Sequence, residues 1–315
     1  MTALAAVVTA LALTPGIFDT VQPMGGKVLV SGSTGRGCVW LTVDPRTLHG
    51  TRLSGSCAHP RRAAHRVVPV VIQNARSPWQ SVRVASTVLR YRDGSDTRPV
   101  STYGPGSLWL YDVAATRGSV LLRFSSETGR LEQTVAMPRL VRPVLAANDD
   151  GVYLMAAVNG DDARAGPAAL YHVAPDARHA TIIHREGRAA LWIAAHRHTV
   201  WTEIVTGTST AALWRFDGSG GHATRLWRGT IGAAPIATYG DGSLWAVTPV
   251  WESGHTPQCT SAKVTRIDAA TGRQTAVATV PSSGYCSLLF DPQGLTFTHG
   301  ALYFLSGTKL YRVRP

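Results

Sequence analysis

A short pattern recurs along the chain and limits what it can fold into. A small residue, an aliphatic residue and an aromatic one close the stretches GSLW at Trp109, GVY at Tyr153, HTVW at Trp201, GSLW at Trp245 and GALY at Tyr303. An altered copy, GKVL, ends at Leu29. Successive aromatics are 44, 48, 44 and 58 residues apart, and 80 residues separate Leu29 from Trp109. Eighty is two units of about 40, so a degenerate copy is expected near residues 67–72 (VVPVVI). Counting it gives seven units.

A second pattern follows the first: aliphatic, any residue, basic, then aliphatic or aromatic, leading into a polar turn. It appears as LLRFSSETG at Leu121, LYHVAPDA at Leu170, LWRFDGSG at Leu213, VTRIDAATG at Val264 and LYRV at Leu310. Its basic slot holds Arg123, His172, Arg215, Arg266 and Arg312, while the early copy WLTV at Trp40 has Thr42 there. Another alternating stretch follows each turn, and an apolar stretch precedes each aromatic motif. Alternation bounded by Gly, Asp and Ser is the strand signal. Four short strands per unit are what a β-propeller blade requires.

The expected fold is therefore all-β, a single propeller of seven four-stranded antiparallel blades. The last unit stops after its third strand, at LYRVRP, so a strand from within residues 17–31 is expected to complete it and remove the open sheet edge. If Gly26–Ser31 is that strand, the count falls to six, the alternative.

Composition agrees with a large buried core: of 315 residues, 44% are hydrophobic and only 16% charged. That balance excludes disorder. The net charge of +12 (31 − 19) favours polyanionic partners by steering. The charge is spread, however. The densest run, His59–Arg66, lacks interleaved aromatics, and no helix-turn-helix, zinc-finger or RNP pattern appears, so specific nucleic-acid binding is not expected.

Ala3–Leu13 is an apolar run of eleven residues. A bilayer span needs about 20, so no transmembrane span is expected. The run fits a secretory leader with Ala10-Leu11-Ala12 as its small-residue cleavage site, although no Lys or Arg precedes Lys27. Residues 1–16 are read as leader and 17–315 as the propeller domain.

The cysteines point to the same extracytoplasmic compartment, secreted or cell envelope. Cys38 and Cys57 bracket a strand–turn–strand unit, and folding it about its centre sets 43 opposite 52 and 38 opposite 57. Cys259 and Cys286 bracket an equivalent unit. Two disulfides are expected, Cys38–Cys57 and Cys259–Cys286, each worth about 3 kcal/mol and each requiring oxidising conditions.

VTRIDAATGRQ resembles the strand-and-turn of extracytoplasmic propellers of the YVTN and quinoprotein-like repeat type. Together with GSLW it is also similar to streptogramin-lyase-like repeats, whose blades pair a G-x-[LI]-W strand with a G-R-[IV]-D-x-x-T-G turn. The resemblance implies a propeller with an axial site. The lyase family uses a histidine and a metal-held glutamate facing the axis, and its blades repeat W-F-T-E. Here only Trp201-Thr202-Glu203 remains, and no site is carried over.

From the residues themselves, the aromatic and basic series read as inter-blade packing or, alternatively, as a ligand ring and a polyanion band. His196 and His198, two apart on an expected strand, share one face and could ligate a metal with Glu203. Asn148-Asp149-Asp150 and Asp161-Asp162 carry oxygen ligands suited to Ca²⁺. No GxSxG elbow, P-loop or GxGxxG after a strand appears, so no cofactor is expected. The function expected is non-catalytic binding of an envelope component, protein or small ligand. The alternative is a propeller lyase or hydrolase with a metal- or His-based site at the central channel.

Overall fold

The computed structural model describes residues 6–13, 17–24, 26–34, 37–53, 70–72, 79–92, 99–114, 118–157, 168–186, 190–207, 210–220, 222–230, 236–251, 259–282 and 294–315. Strand β1 (Val7–Ala12) comes first. Then follows a blade of β2 (Ile17–Met24), β3 (Lys27–Thr34), β4 (Gly37–Val43) and β5 (Gly50–Leu53). A sheet of three strands comes next, β6 (Val70–Ile72), β7 (Trp79–Val84) and β8 (Thr87–Arg92).

Three blades occupy the middle of the chain. They are β9 (Val100–Gly104), β10 (Ser107–Ala114), β11 (Gly118–Ser125) and β12 (Leu131–Met137); β13 (Val141–Asn148), β14 (Gly151–Ala157), β15 (Ala168–Val173) and β16 (Thr181–Glu186); and β17 (Ala190–His196), β18 (Thr199–Val205), β19 (Thr210–Asp217) and β20 (Ala223–Thr230). Then come β21 (Ile236–Gly240), β22 (Ser243–Trp251), β23 (Cys259–Asp268) and β24 (Gln274–Pro281). The last blade is β25 (Leu295–Thr298), β26 (Ala301–Ser306), β27 (Lys309–Arg314) and, returning from the N-terminus, β1.

The protein is an all-β propeller with six four-stranded antiparallel blades. Seven four-stranded blades, the larger count expected, are not found among the described residues. Within VVPVVI the described residues are Val70–Ile72, a strand whose sheet has three strands among the described residues.

The blade is completed by an N-terminal strand, but not the stretch expected. Residues 17–24 and 27–34 are the first two strands of the first blade. The closing strand is Val7–Ala12, which lies inside the stretch read as leader. It pairs with β27 from Val7↔Arg314 to Ala12↔Lys309. A leader core and an outer strand ask for the same thing, a short run of Val, Leu, Ala and Thr. Cleavage after Ala12 would take this strand away.

Each pair of recurring motifs forms one row across its blade. The aromatic on the second strand faces a small residue on the first and a basic residue on the third. The rows are Thr102–Trp109–Arg123, Ala146–Tyr153–His172, Ala194–Trp201–Arg215, Thr238–Trp245–Arg266 and Thr296–Tyr303–Arg312. The altered copy reads Gln22–Leu29–Thr42. There a long glutamine stands where the other blades need a small residue beside an indole or phenol ring.

The turns between third and fourth strands explain the D-x-x-T-G spelling. Asp268 accepts from Ala270 N (3.1 Å), Thr271 N (2.7 Å) and Thr271 Oγ1 (2.8 Å), and Gly272 follows at φ 73°. Asp44 does the same with Arg46 N and Thr47 N, with Leu48 at φ 59°. An Asx turn closed by one left-handed residue makes the reversal. These donors, chiefly the backbone N–H groups, hold the Asp44 carboxyl below its usual range; at Asp268 the Thr271 hydroxyl leads. The turn also sets the first hairpin's register at Val43↔Gly50, two residues short of the 43–52 pairing expected.

Contacts divide the described chain into two compact units, residues 1–55 with 231–315, and residues 56–230. In the first, β1's neighbour Leu13 joins Phe18, Val28, Val30, Val43, Tyr303 and Leu310 in one core between the first and last blades. In the second, Trp109, Tyr111, Leu121 and Val135 pack on Leu145, Val152, Leu154 and Val173 of the next blade. Most of the aromatics of the row are fully buried: Trp109 1%, Tyr153 1%, Trp245 0% and Tyr303 0% exposed.

Candidate functional site

Two groups of residues singled out separately meet in the second unit. The turn Asn148-Asp149-Asp150 after β13 touches the turn His196-Arg197-His198 after β17. His198 Nδ1 lies 3.0 Å from Asp150 Oδ2, and Asn148 Nδ2 donates to the Arg197 carbonyl at 2.5 Å. Arg197 is left-handed at φ 49°, as the first position of a tight hairpin turn requires. The junction continues inward. Gly218 N donates to the His198 carbonyl at 2.6 Å, and His172 donates through Nε2 to the Asp150 carbonyl at 2.9 Å. The His172 ring stacks on Tyr153 at 4.5 Å.

The electrostatics follow from burial. Desolvation lowers the His172 pKa, favouring the neutral ring. Tyr153 is pushed up to about 12, first by burial and then by the charges of Asp150 and Asp217. His196 is lowered, by burial and then by Arg197, with Asp149 acting the other way. This is a junction of carboxylates and imidazoles that fastens two neighbouring blades.

Glu203 does not join it. On the β17–β18 hairpin His196 pairs with Thr199 and Trp192 with Glu203, so Glu203 is four residues away along the strand, about 13 Å. It is buried, 8% exposed, and accepts from Trp192 Nε1 at 2.8 Å. Burial raises its pKa, and the indole bond offsets part of that. Asp161 and Asp162 lie outside the described residues, and no cluster of three His, Cys, Asp or Glu suited to a metal occurs among the described residues. His184 is on β16, tilted against Phe216 at 4.9 Å.

Two of the basic series, Arg123 and Arg312, act between blades. Arg123 Nη1 donates to the Pro175 carbonyl at 2.9 Å, its guanidinium 5.6 Å from the Trp109 ring centre. Arg312, 7% exposed, donates to the carbonyls of Pro45 (2.7 Å) and Arg46 (2.9 Å) and through Nε to Thr9 Oγ1 (3.0 Å). An open groove of about 620 Å³ lies beside Arg123, lined by Arg130, Leu131, Glu132, Gln133, Pro175 and Asp176. Cys259 is buried at the start of β23. Cys57 and Cys286 lie outside the described residues, as does the side chain of Cys38 on β4, so both expected disulfides do as well.

At the other end of the blades, sequence reasoning missed one feature. β22 and β23 run nine and ten residues, whereas the other second and third strands of four-stranded blades have six to eight. The excess carries Val250 and Trp251, 39% and 40% exposed, with Trp251 opposite Cys259. The unbroken reading VTPVW was the available signal.

No family model matches the chain, and no curated protein matches it in sequence. Solved propellers match in shape. A putative TolB from Agrobacterium tumefaciens is 13% identical at a TM-score of 0.50, covering 98% of both chains. An oligogalacturonate lyase in complex with manganese is 12% identical at 0.55, covering 99% of this chain and 96% of its own. The WD40 repeats of RRP9 are 8% identical at 0.57, covering 98% and 97%. Such identities carry the fold alone. No helix among the described residues is long and apolar enough to cross a membrane.

Proposed function

We propose that this propeller is a binding module of the cell envelope or secreted fraction, meeting a protein, envelope component or small ligand at the end of its blades where β22 and β23 overrun. The observation that carries the reading is the exposed pair Val250 and Trp251 on that extended hairpin. Large apolar side chains held at a strand end favour contact with a partner over contact with water. The ionisable residues singled out for chemistry are occupied otherwise: His198 with Asp150, Glu203 with Trp192, and Arg312 with the Pro45 turn.

The extracytoplasmic location rests on the expected pairs Cys38–Cys57 and Cys259–Cys286, which need oxidising conditions. The Asx turns at Asp44 and Asp268 support assigning the repeats to the YVTN/quinoprotein-like or streptogramin-lyase-like type.

The test compares wild type with a Val250→Ser/Trp251→Ser variant in capture from an envelope extract, read by quantitative mass spectrometry. Ile182→Ser, at another exposed apolar position, is the control. Species lost with the double variant and kept with the control support binding at this end. An identical captured set for both removes it. Manganese-dependent formation of unsaturated product from oligogalacturonate would replace binding by the lyase reading.

A further inference from the structure

The ladder between β11 and β12 breaks at an unusual place. Arg123 pairs with Gln133 and Phe124 with Leu131, so Glu132 is the extra residue of a bulge beside the basic position of the row. In three other blades the break falls two residues earlier relative to the row, between Leu170 and Tyr171, Leu213 and Trp214, and Val264 and Thr265. A bulge re-aims a side chain, and this one sets the Glu132 carboxylate 3.7 Å from Arg123 Nε. Asp176, on the turn after β15, stands 3.9 Å from Nη1 of the same guanidinium. Both separations are ion pairs, too long for hydrogen bonds. The charge of Arg123 is therefore compensated while hydrogen-bonding capacity stays unfilled: Arg123 Nε and Gln133 Oε1 are buried without a hydrogen-bond partner. A bound polar molecule answers orphans of this kind.

These groups line the open groove beside Arg123. Its volume of about 620 Å³ falls within the roughly 300–1,000 Å³ of small-molecule sites. Its walls are fixed in place. Arg123 Nη1 donates to the Pro175 carbonyl at 2.9 Å and Gln133 Nε2 to that of Ala174 at 3.3 Å, tying β11 and β12 to the next blade. Little ordering is then left to oppose binding. Leu131, 43% exposed, and the Pro175 ring add apolar surface.

We propose that this groove binds a neutral saccharide. Two arginines, Arg123 and Arg130, stand with two carboxylates, Glu132 and Asp176. The lining thus carries no net charge, although the whole chain carries +12. An anion would meet the carboxylates and a cation the arginines. A hydroxyl donates one hydrogen bond and accepts two, so neighbouring hydroxyls on one ring accept from a guanidinium and donate to a carboxylate together. The C–H face of the ring then lies on Leu131 and Pro175. The groove belongs to the unit of residues 56–230 and the Val250–Trp251 hairpin to the other, so this proposal and binding at that hairpin stand or fall separately.

The experiment screens the intact protein on an array of neutral and acidic oligosaccharides, then measures affinity for the best neutral one by titration calorimetry. Glu132→Gln and Asp176→Ala should each weaken it about tenfold. Glu132→Gln also leaves the groove with a net positive charge and should gain affinity for acidic oligosaccharides. Asp241→Asn removes an exposed acid at the turn before β22 and should change nothing. Four results would overturn the proposal: no neutral oligosaccharide bound, unchanged affinity in both groove variants, equal weakening by Asp241→Asn, or binding confined to acidic oligosaccharides and lost with salt. Thermal melts establish that the variants are folded, and the Asp176 side chain is fully exposed, so its removal spares the core.

Discussion

An alanine at position 240 should open the contact between two neighbouring blades. A Cβ there would stand 2.0 Å from Phe297 Cδ1, 2.1 Å from Cγ and 2.6 Å from Cβ. Carbon atoms in contact prefer about 3.5–4.0 Å, so the ring must move by more than an ångström. Phe297 is the ring stacked on Trp245, and the Trp245 indole donates to the Gly240 carbonyl at 3.0 Å. Overpacking costs about 1–3 kcal/mol. Disturbing the stack adds about 0.5–1.5, and the indole bond about 0.5–1.5. The total is about 2–6 kcal/mol, a large part of the roughly 5–15 kcal/mol that holds a domain folded.

Urea unfolding should show the midpoint falling with an unchanged slope. Removing the ring should remove most of the penalty, so in a Phe297→Ala background Gly240→Ala should show a coupling of at least about 1.5 kcal/mol. Gly242→Ala is the control. Its φ of +69° penalises any Cβ, but nothing lies within 4 Å, so it should cost about 1 kcal/mol with no coupling to Phe297. A Gly240→Ala cost below about 1 kcal/mol, or the same cost with and without the ring, refutes the reasoning.

Removing residues 1–12 should leave β27 an open edge and deprive Arg312 of its bond to Thr9; amide exchange at residues 310–313 should accelerate, and unchanged protection would show that β1 is dispensable. Glu203→Gln keeps an acceptor for Trp192 while removing a carboxyl whose pKa is raised in the folded state. Since the native form holds that proton more tightly than the unfolded one, stability is lost as pH rises above the unfolded value of 4.5. The variant should therefore gain on wild type in urea melts at neutral pH and match it near pH 4; a loss at neutral pH contradicts burial as the dominant cause. Non-reducing peptide mapping should recover Cys38–Cys57 and Cys259–Cys286, and four alkylated thiols would end both pairings.

The propeller was legible in the chain because a strand announces itself locally. Side chains alternate with period two, and the Asx turn is written as D-x-x-T-G because each of those residues donates, accepts or adopts a left-handed backbone. The small–aromatic–basic rows were half legible. Spacing revealed the aromatic and basic series, but only the registers Trp109↔Arg123 and Tyr303↔Arg312 show that they face each other. The junction of His198 with Asp150 joins residues 48 apart that read in the sequence as two separate ligand sets, while Glu203, only five residues from His198, faces elsewhere.

What the sequence determined by itself is the element: short strands, tight turns and the pattern of one blade, all set by interactions within a few residues. Which strands become neighbours was decided only by the tertiary structure. Val7–Ala12 has the composition of a leader or of an outer strand, and nothing local chooses between them; β27, some 300 residues away in the chain, does.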